Sequence, residues 1–204
     1  MAVRNLDGIF QPRSIVVIGP ERIGKAACEL FFTNLKRSGY AGKVTLAGVT
    51  PPEGWTGGVV PSLAEFEDKA DLALIIAGGS TAVEVIERLG ALRIKAALFL
   101  SRGYDEWTFA TSRLALQTAR KHGLRLIGPG SLGVMSLHGG LDLSLAARPA
   151  KKGDLALVSR SAAVINSTLA WAEANGIGFS SVVSLGQKVD VDVGDLLDHF
   201  TADY

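Results

Sequence analysis

The sequence predicts an α/β protein built on a doubly wound parallel sheet. Three observations lead there. Short apolar, β-branched runs recur along the chain, longer helical patterns separate them, and glycine turns join one kind to the other. The runs are continuous rather than alternating, which is how strands read when helices cover both faces of their sheet.

The first strand is "SIVVIG", Ser14 to Gly19, and a helix follows from about Gly24 to Ser38, ended by Gly39. The second strand, Lys43 to Val49, empties into "TPPEGWTGGVVPSL", Thr50 to Leu63, whose glycines and prolines predict a surface loop that faces a ligand. A third strand spans Asp71 to Ala77, with a helix from about Thr81 to Leu92. The fourth runs from Ala96 to Ser101, with a helix from about Trp107 to Lys121, and "LRLIG", Leu124 to Gly128, is the fifth. Next, "LGVMSLHGGLDLSLA" alternates around Gly139 and Gly140, the pattern of a β-hairpin. "RPAKKGD", Arg148 to Asp154, reads as a linker, after which the pattern restarts: strand Leu155 to Arg160, helix Ser161 to Ala174, strand Ser180 to Gly186, helix Gly194 to Ala202.

The expected division is therefore a sheet domain at 1–130, a hairpin and linker at 131–150, and the start of a second α/β domain at 151–204. Two strands and two helices cannot bury both faces of a sheet. The second domain is expected to be cut, or completed by a partner.

Composition excludes some functions. The 21 lysines and arginines balance 20 aspartates and glutamates, and no basic cluster exceeds Lys151 and Lys152, which argues against nucleic acid and against a membrane surface as partners. The single cysteine, Cys28, rules out an internal disulfide and reads as a small core residue. The first residues lack the apolar stretch of a signal peptide, and no window approaches a membrane span. A cytoplasmic protein is expected.

The turn after the first strand nearly spells a P-loop, with Gly19, four residues, Gly24 and Lys25. Ala26 stands where that motif needs a hydroxyl for Mg²⁺, and the later strands "LALIIAGG" and "AALFLSRG" end without a metal-binding carboxylate. The dinucleotide fingerprint also fails. Its G-x-G-x-x-G spacing is absent, and the second strand ends "AGVTPP" with no acid before Glu53. What remains is a strand, a glycine turn and a helix N-terminus suited to some anion. No metal site is expected: His122, His138 and His199 have no partners at ligand spacing, and Asp190, Asp192 and Asp195 lack the EF-hand order.

Taken in order, "LDGIFQPRSIVVIG", "NLKRSGYAGKV", "PSLAEFEDKADLALII", "GLRLIGPGSLGV", "GLDLSLA" and "GDLALVSRSAAVINSTLAWAEANGIGFSSVVSLGQKVDVDVGDLLDHFTAD" resemble the N-terminal part of the NDP-forming acyl-CoA synthetase superfamily. This superfamily includes the succinyl-CoA synthetase α-subunit and ADP-forming acetate–CoA ligase. The resemblance implies a Rossmann-like CoA-binding domain followed by an incomplete flavodoxin-like ligase domain. "SRSAAVINSTLAWAE" resembles most the synthetase-like region of bacterial protein lysine acetyltransferases that carry a fused GNAT domain.

The resemblance implies CoA or acyl-CoA as ligand, held by Gly19, Pro20, Arg22, Gly24 and Lys25 at the first turn. The loops Thr50 and Pro51, Ala77, Gly78 and Gly79, and Ser101 and Gly103 are expected at the same carboxyl edge of the sheet. Each loop alone is equally ordinary turn chemistry. Ser159, Arg160, Ser161 and Ala162 would form the turn that faces the phosphohistidine of the family, a residue this chain does not contain; without the resemblance Ser161 is an ordinary helix cap. No residue of the chain is assigned a catalytic role. ATP or ADP and Mg²⁺ would belong to domains not present here, and the partners implied are those ligase, ATP-grasp or acetyltransferase domains in cis or in trans, with a homo-oligomer also open. The chain departs from the family pattern at Pro20, Pro52, Gly130 and Ala162. Three uses stay open: a regulatory module, the CoA-binding part of a ligase, and an NAD-linked redox sensor.

Overall fold

The computed structural model describes residues 6–19, 25–76, 81–100 and 107–202, without the side chains of Lys25, Ala26 and Ala202. In chain order the elements are α1 (Asp7–Phe10), β1 (Ser14–Ile18), α2 (Lys25–Ser38), β2 (Lys43–Ala47), β3 (Gly58–Val60), β4 (Leu72–Ile75), α3 (Ala82–Ala91), β5 (Ala96–Leu100), α4 (Phe109–His122) and β6 (Arg125–Ser131). There follow β7 (Gly133–Ser136), β8 (Leu141–Ser144), β9 (Lys152–Ser159), α5 (Ala162–Ala174), β10 (Phe179–Ser184) and α6 (Val193–Ala202).

Six parallel strands form the first sheet in the order β3-β2-β1-β4-β5-β6. Alternate residues face opposite layers, as the two-residue period of a strand requires. Ile15, Val17, Leu72, Leu74, Ala96 and Leu98 enter one core with Phe31 and Leu35 of α2. Val16, Ile18, Ala73, Ile75, Ala97 and Phe99 enter the other with Ile86 and Leu89 of α3 and Ala115 and Ala119 of α4. Both faces are covered, which explains the unbroken apolar runs.

The second sheet has the order β8-β7-β10-β9, with β7 antiparallel to both β8 and β10 and β9 parallel to β10. Its alternation is equally clear. Met135, Phe179 and Val182 pack on Ile165 and Leu169 of α5, while Val134, Leu143 and Val183 join the core under α2. The two sheets thus share one apolar layer, to which Leu196 of α6 also belongs.

The structure corrects several expectations. The first sheet has six strands, not five, because β3 lies inside the Thr50–Leu63 connection. The second is not a bare pair of strands: the hairpin β7–β8 makes it four, so its burial is met partly by residues that precede the linker. β9 begins at Lys152, inside the stretch read as linker. The strand read as Leu124 to Gly128 runs on, since Pro129, Gly130 and Ser131 continue β6, with a cis Gly128–Pro129 bond and a register shift against β5. The short α1 was also unanticipated.

Buried polar groups tie the layers together. Asn34 on α2 is fully buried and donates to the carbonyls of Ser144 (2.9 Å) and Ala146 (3.0 Å). Arg125, at the start of β6, donates to Asp190 (2.8 Å) and Asp195 (2.9 Å). Burial opposes its charge, yet the two carboxylates more than offset this and raise its pKa. Among the described residues no helix is long and apolar enough to cross a membrane.

Candidate functional site

In the strand order 3-2-1-4-5-6, crossovers leave β1 in opposite directions, so a crevice opens outside the carboxyl ends of β1 and β4. The register makes those ends level, with Ile18 opposite both Ala47 and Ile75, and Ile75 opposite Phe99. Ile76 donates to the carbonyl of Ile18 (2.8 Å), and Gly19 to that of Ala47 (3.4 Å). Gly48 has φ +71, and a Cβ there would stand 2.9 Å from the Gly19 carbonyl oxygen. The backbones after β1 and β2 are therefore in contact, which only glycine at 48 permits.

Of the residues expected at this edge, Gly19 is partly buried, and Thr50 and Pro51 are exposed just beyond β2. Pro20, Arg22, Gly24, Ala77, Gly78, Gly79, Ser101 and Gly103 lie outside the described residues, as does the side chain of Lys25. Lys25 is the first residue of α2.

The second sheet has its own carboxyl edge. Ser159 ends β9 opposite Ser184 of β10, and Ser161 caps α5 by accepting from the Val164 N–H (3.3 Å), the geometry of an N-cap serine. Its own N–H donates to Ser159 Oγ (3.1 Å), and Arg160 donates to the Gly186 carbonyl (3.2 Å). Ala162 is the first residue of α5. The turn Ser159–Ala162 is thereby fastened to the loop after β10.

That loop joins the two edges. The Cβ of any other residue at Gly186, whose φ is +58, would fall 2.1 Å from the Pro129 carbonyl oxygen. Gln187 donates to the same oxygen (2.8 Å), Ser131 Oγ to the Ser184 carbonyl (2.5 Å), and Leu132 N–H to Ser184 Oγ (2.9 Å). The ends of β1, β4, β5 and β6 and those of β10 and β9 consequently form one continuous edge. Ser131, Ser184, Gly186 and Gln187 were not singled out from the sequence. A glycine directly after a strand in "SLGQK" was the only signal available.

The remaining singled-out side chains have ordinary work. His122 pairs with Glu87 (2.7 Å), His138 Nε2 lies 3.1 Å from the Gly153 carbonyl, and His199 is buried and stacked on Phe10. Asp192 accepts from the N–H groups of Asp195 (3.2 Å) and Gly194 (2.8 Å) at the start of α6, and these bonds hold its carboxyl below the usual range. Asp190 and Asp195 hold Arg125. Burial, with Glu29 nearby, pushes the Cys28 thiol up, away from the reactive thiolate.

Comparison with known proteins agrees with this architecture. The family described as CoA binding domain matches residues 13–136, and the succinyl-CoA ligase like flavodoxin domain matches residues 152–204. The alpha subunit of ADP-forming acetate–CoA ligase I of Pyrococcus furiosus is 32% identical over 98% of this chain and 45% of its own length. ADP-forming acetate–CoA ligase II of Archaeoglobus fulgidus is 29% identical over 98% of this chain and 31% of its own. Among solved structures, the apo dinucleotide forming acetyl-coenzyme A synthetase 1 of Ca. Korarchaeum cryptofilum superposes with a TM-score of 0.85 at 28% identity, covering 96% of this chain and 43% of that one. The same enzyme with phosphate and ADP gives a TM-score of 0.84 at 27% identity, over 96% and 42%. The chain spans less than half the length of these relatives. With its first sheet matched almost entirely, and a succinyl-CoA ligase-like flavodoxin region following it as in NDP-forming acyl-CoA synthetases, the chain belongs to the CoA binding domain family.

Proposed function

We propose that this chain binds CoA or an acyl-CoA along the continuous carboxyl edge, as the CoA-binding part of an NDP-forming acyl-CoA synthetase-like protein. One observation carries the proposal: the Gly186–Pro129 contact sets the Ser161-capped N-terminus of α5 beside the carboxyl ends of the first sheet. An extended ligand with phosphates at one end and a reactive sulfur at the other suits an edge that has helix N-termini at separated points. The turn from Gly19 to Lys25 would take the nucleotide phosphates, and Ser159–Ala162 the phosphoryl side of the reaction.

Ligation itself would need domains beyond this chain, in cis or in trans: one that grasps the nucleotide and one that carries the phosphohistidine. The named relatives favour this use as part of an acid–thiol ligase. The departures at Pro20, Pro52, Gly130 and Ala162 favour a second use, a CoA sensor attached to a lysine acetyltransferase.

Calorimetric titration with CoA, acetyl-CoA, ATP and NAD⁺ tests the binding. Micromolar CoA or acetyl-CoA binding, lost in Gly24→Val, is expected. A folded chain that ignores both while binding NAD⁺ would replace this reading with the redox-sensor one. Adding candidate partner domains and assaying ADP- and phosphate-dependent turnover of acetyl-CoA then separates ligase from sensor.

A further inference from the structure

In the order β3-β2-β1 the chain steps outward twice in the same direction, so right-handed crossovers put both connections on one face of the sheet. The first connection lays α2 on that face. The second, residues 48–57, carries no helix, although parallel strands are usually joined by one. Beside α2, where that helix would lie, is a cavity of about 600 Å³. It runs from Gly42, just ahead of β2, to the loop 52–57 beyond it, and so follows the flank of the sheet rather than its carboxyl edge.

Phe32, Leu35 and Val44, all buried, form the floor, and the half-buried Tyr40 and Trp55 stand over it. These aromatic rings are held in place. The Trp55 indole lies 5.5 Å from the Phe32 ring at 60° and donates its N–H to the Gly58 carbonyl (3.4 Å). It rests on Gly57, where a Cβ would come within 2.6 Å of it, and Tyr40 rests on Gly42 in the same way. The Tyr40 hydroxyl donates to the Pro12 carbonyl (2.9 Å). The charged residues around the opening are Glu29, Glu53 and Lys36, all exposed, two carboxylates to one ammonium. Aromatic faces and carboxylates attract charge of the same sign, and a cation is the ligand that suits both.

We propose that this cavity binds a small alkylated ammonium cation, a tertiary or quaternary amine. Phe32, Tyr40 and Trp55 form the aromatic box, Glu29 and Glu53 supply the countercharge, and Leu35 and Val44 meet the alkyl groups. A quaternary ammonium fits such a floor because it presents only methyl surface while keeping its charge. Lys36 opposes the ligand and holds its affinity down. Among the described residues, none of those assigned to the coenzyme lines the cavity, so either reading can fail and leave the other standing.

The indole N–H signals of ¹⁵N-labelled protein test this, because Trp55 lines the cavity and Trp107 and Trp171, the other two of the three tryptophans, do not. Trp55→Leu assigns the signal. Choline and tetramethylammonium are the probes, and 3,3-dimethylbutan-1-ol, which has the shape of choline without its charge, is the control. Both cations are expected to move the Trp55 signal saturably and leave the other two in place, with the alcohol weaker than choline by about fivefold or more. Glu53→Gln should weaken choline binding about threefold and Lys36→Met should strengthen it about as much, opposite effects that a merely apolar groove would not show. An excess of CoA should leave the titration unchanged. The proposal is overturned if neither cation moves the signal, if the alcohol moves it equally, if both charge variants bind choline as the parent does, or if CoA displaces choline and so claims the groove for the coenzyme.

Discussion

Asn34 shows how much one side chain can settle. Its amide holds two backbone carbonyls of the segment leaving β8, and its oxygen accepts from Arg37 (2.8 Å). Asn34→Ala would leave both carbonyls buried and unpaired, a loss of about 3 kcal/mol, read as a lower urea midpoint with an unchanged slope. Asp142 lies close by. Burial raises its pKa above the ordinary carboxylate value, an effect that the Ser144 hydroxyl and Arg37, 3.5 Å away, only partly offset. A carboxyl raised on folding stabilises the fold while protonated, and that contribution is lost as pH rises through its folded pKa. Asp142→Asn, which stays neutral, should therefore gain on the parent as pH goes from about 4 to about 7. Urea midpoints across that range that run parallel for the two proteins would refute the assignment.

At the scale of elements, local sequence chose most of the structure. Gly123 in the left-handed region ends α4, and Thr108 caps its start by accepting from the Thr111 N–H (3.1 Å). Thr108→Ala should cost about 1 kcal/mol. Ser161→Ala should cost about the same at α5, and in addition should weaken any response of the chain to inorganic phosphate, a readout that a bare cap would not move. Most of the strands that were legible are buried on both faces, and β9, largely exposed, was legible from its run Leu155 to Val158 alone. β3 was not, because its three residues, Gly58, Val59 and Val60, are largely exposed and leave no apolar run to read. The end of β6 was hidden for the opposite reason: Gly128, Pro129 and Gly130 punctuate turns in most chains, yet here they let the strand run close beneath Phe99 and Gly186. Of the candidate edge, the rule that ligands sit at carboxyl ends pointed to Gly19, Thr50 and Pro51, which follow β1 and β2, whereas the Ser131–Ser184 and Gly186–Pro129 contacts join residues more than fifty positions apart and leave no local trace.

Over the whole molecule, the shared apolar layer should make the two sheets unfold together. Calorimetry is expected to show one transition, with agreement between calorimetric and van't Hoff enthalpies. Arg125 bridges from β6 to the segment that leads into α6 and is only 16% exposed. Arg125→Ala would strand two carboxylates in a partly buried setting and should cost about 3 kcal/mol. Gly186→Ala meets both a left-handed backbone and a carbonyl oxygen, and should cost more than about 2 kcal/mol. If the two edges form a single ligand surface, that substitution will also depress CoA affinity although residue 186 belongs to the second sheet.

The hairpin β7–β8 precedes the Arg148–Asp154 segment in sequence, yet it pairs with β10, which comes after it. Anyone grafting the flavodoxin-like half of a relative onto this chain meets a choice of seam. A crossover placed at the Pro149 stretch would separate β10 from the β7 it was selected to match, and recombinants joined there should be poorly soluble. Moving the seam upstream, to the approach to Gly133, carries the hairpin along with its mates and leaves the α2 contact and the β6 contacts of Ser184, Gly186, Asp190 and Asp195 to be re-matched.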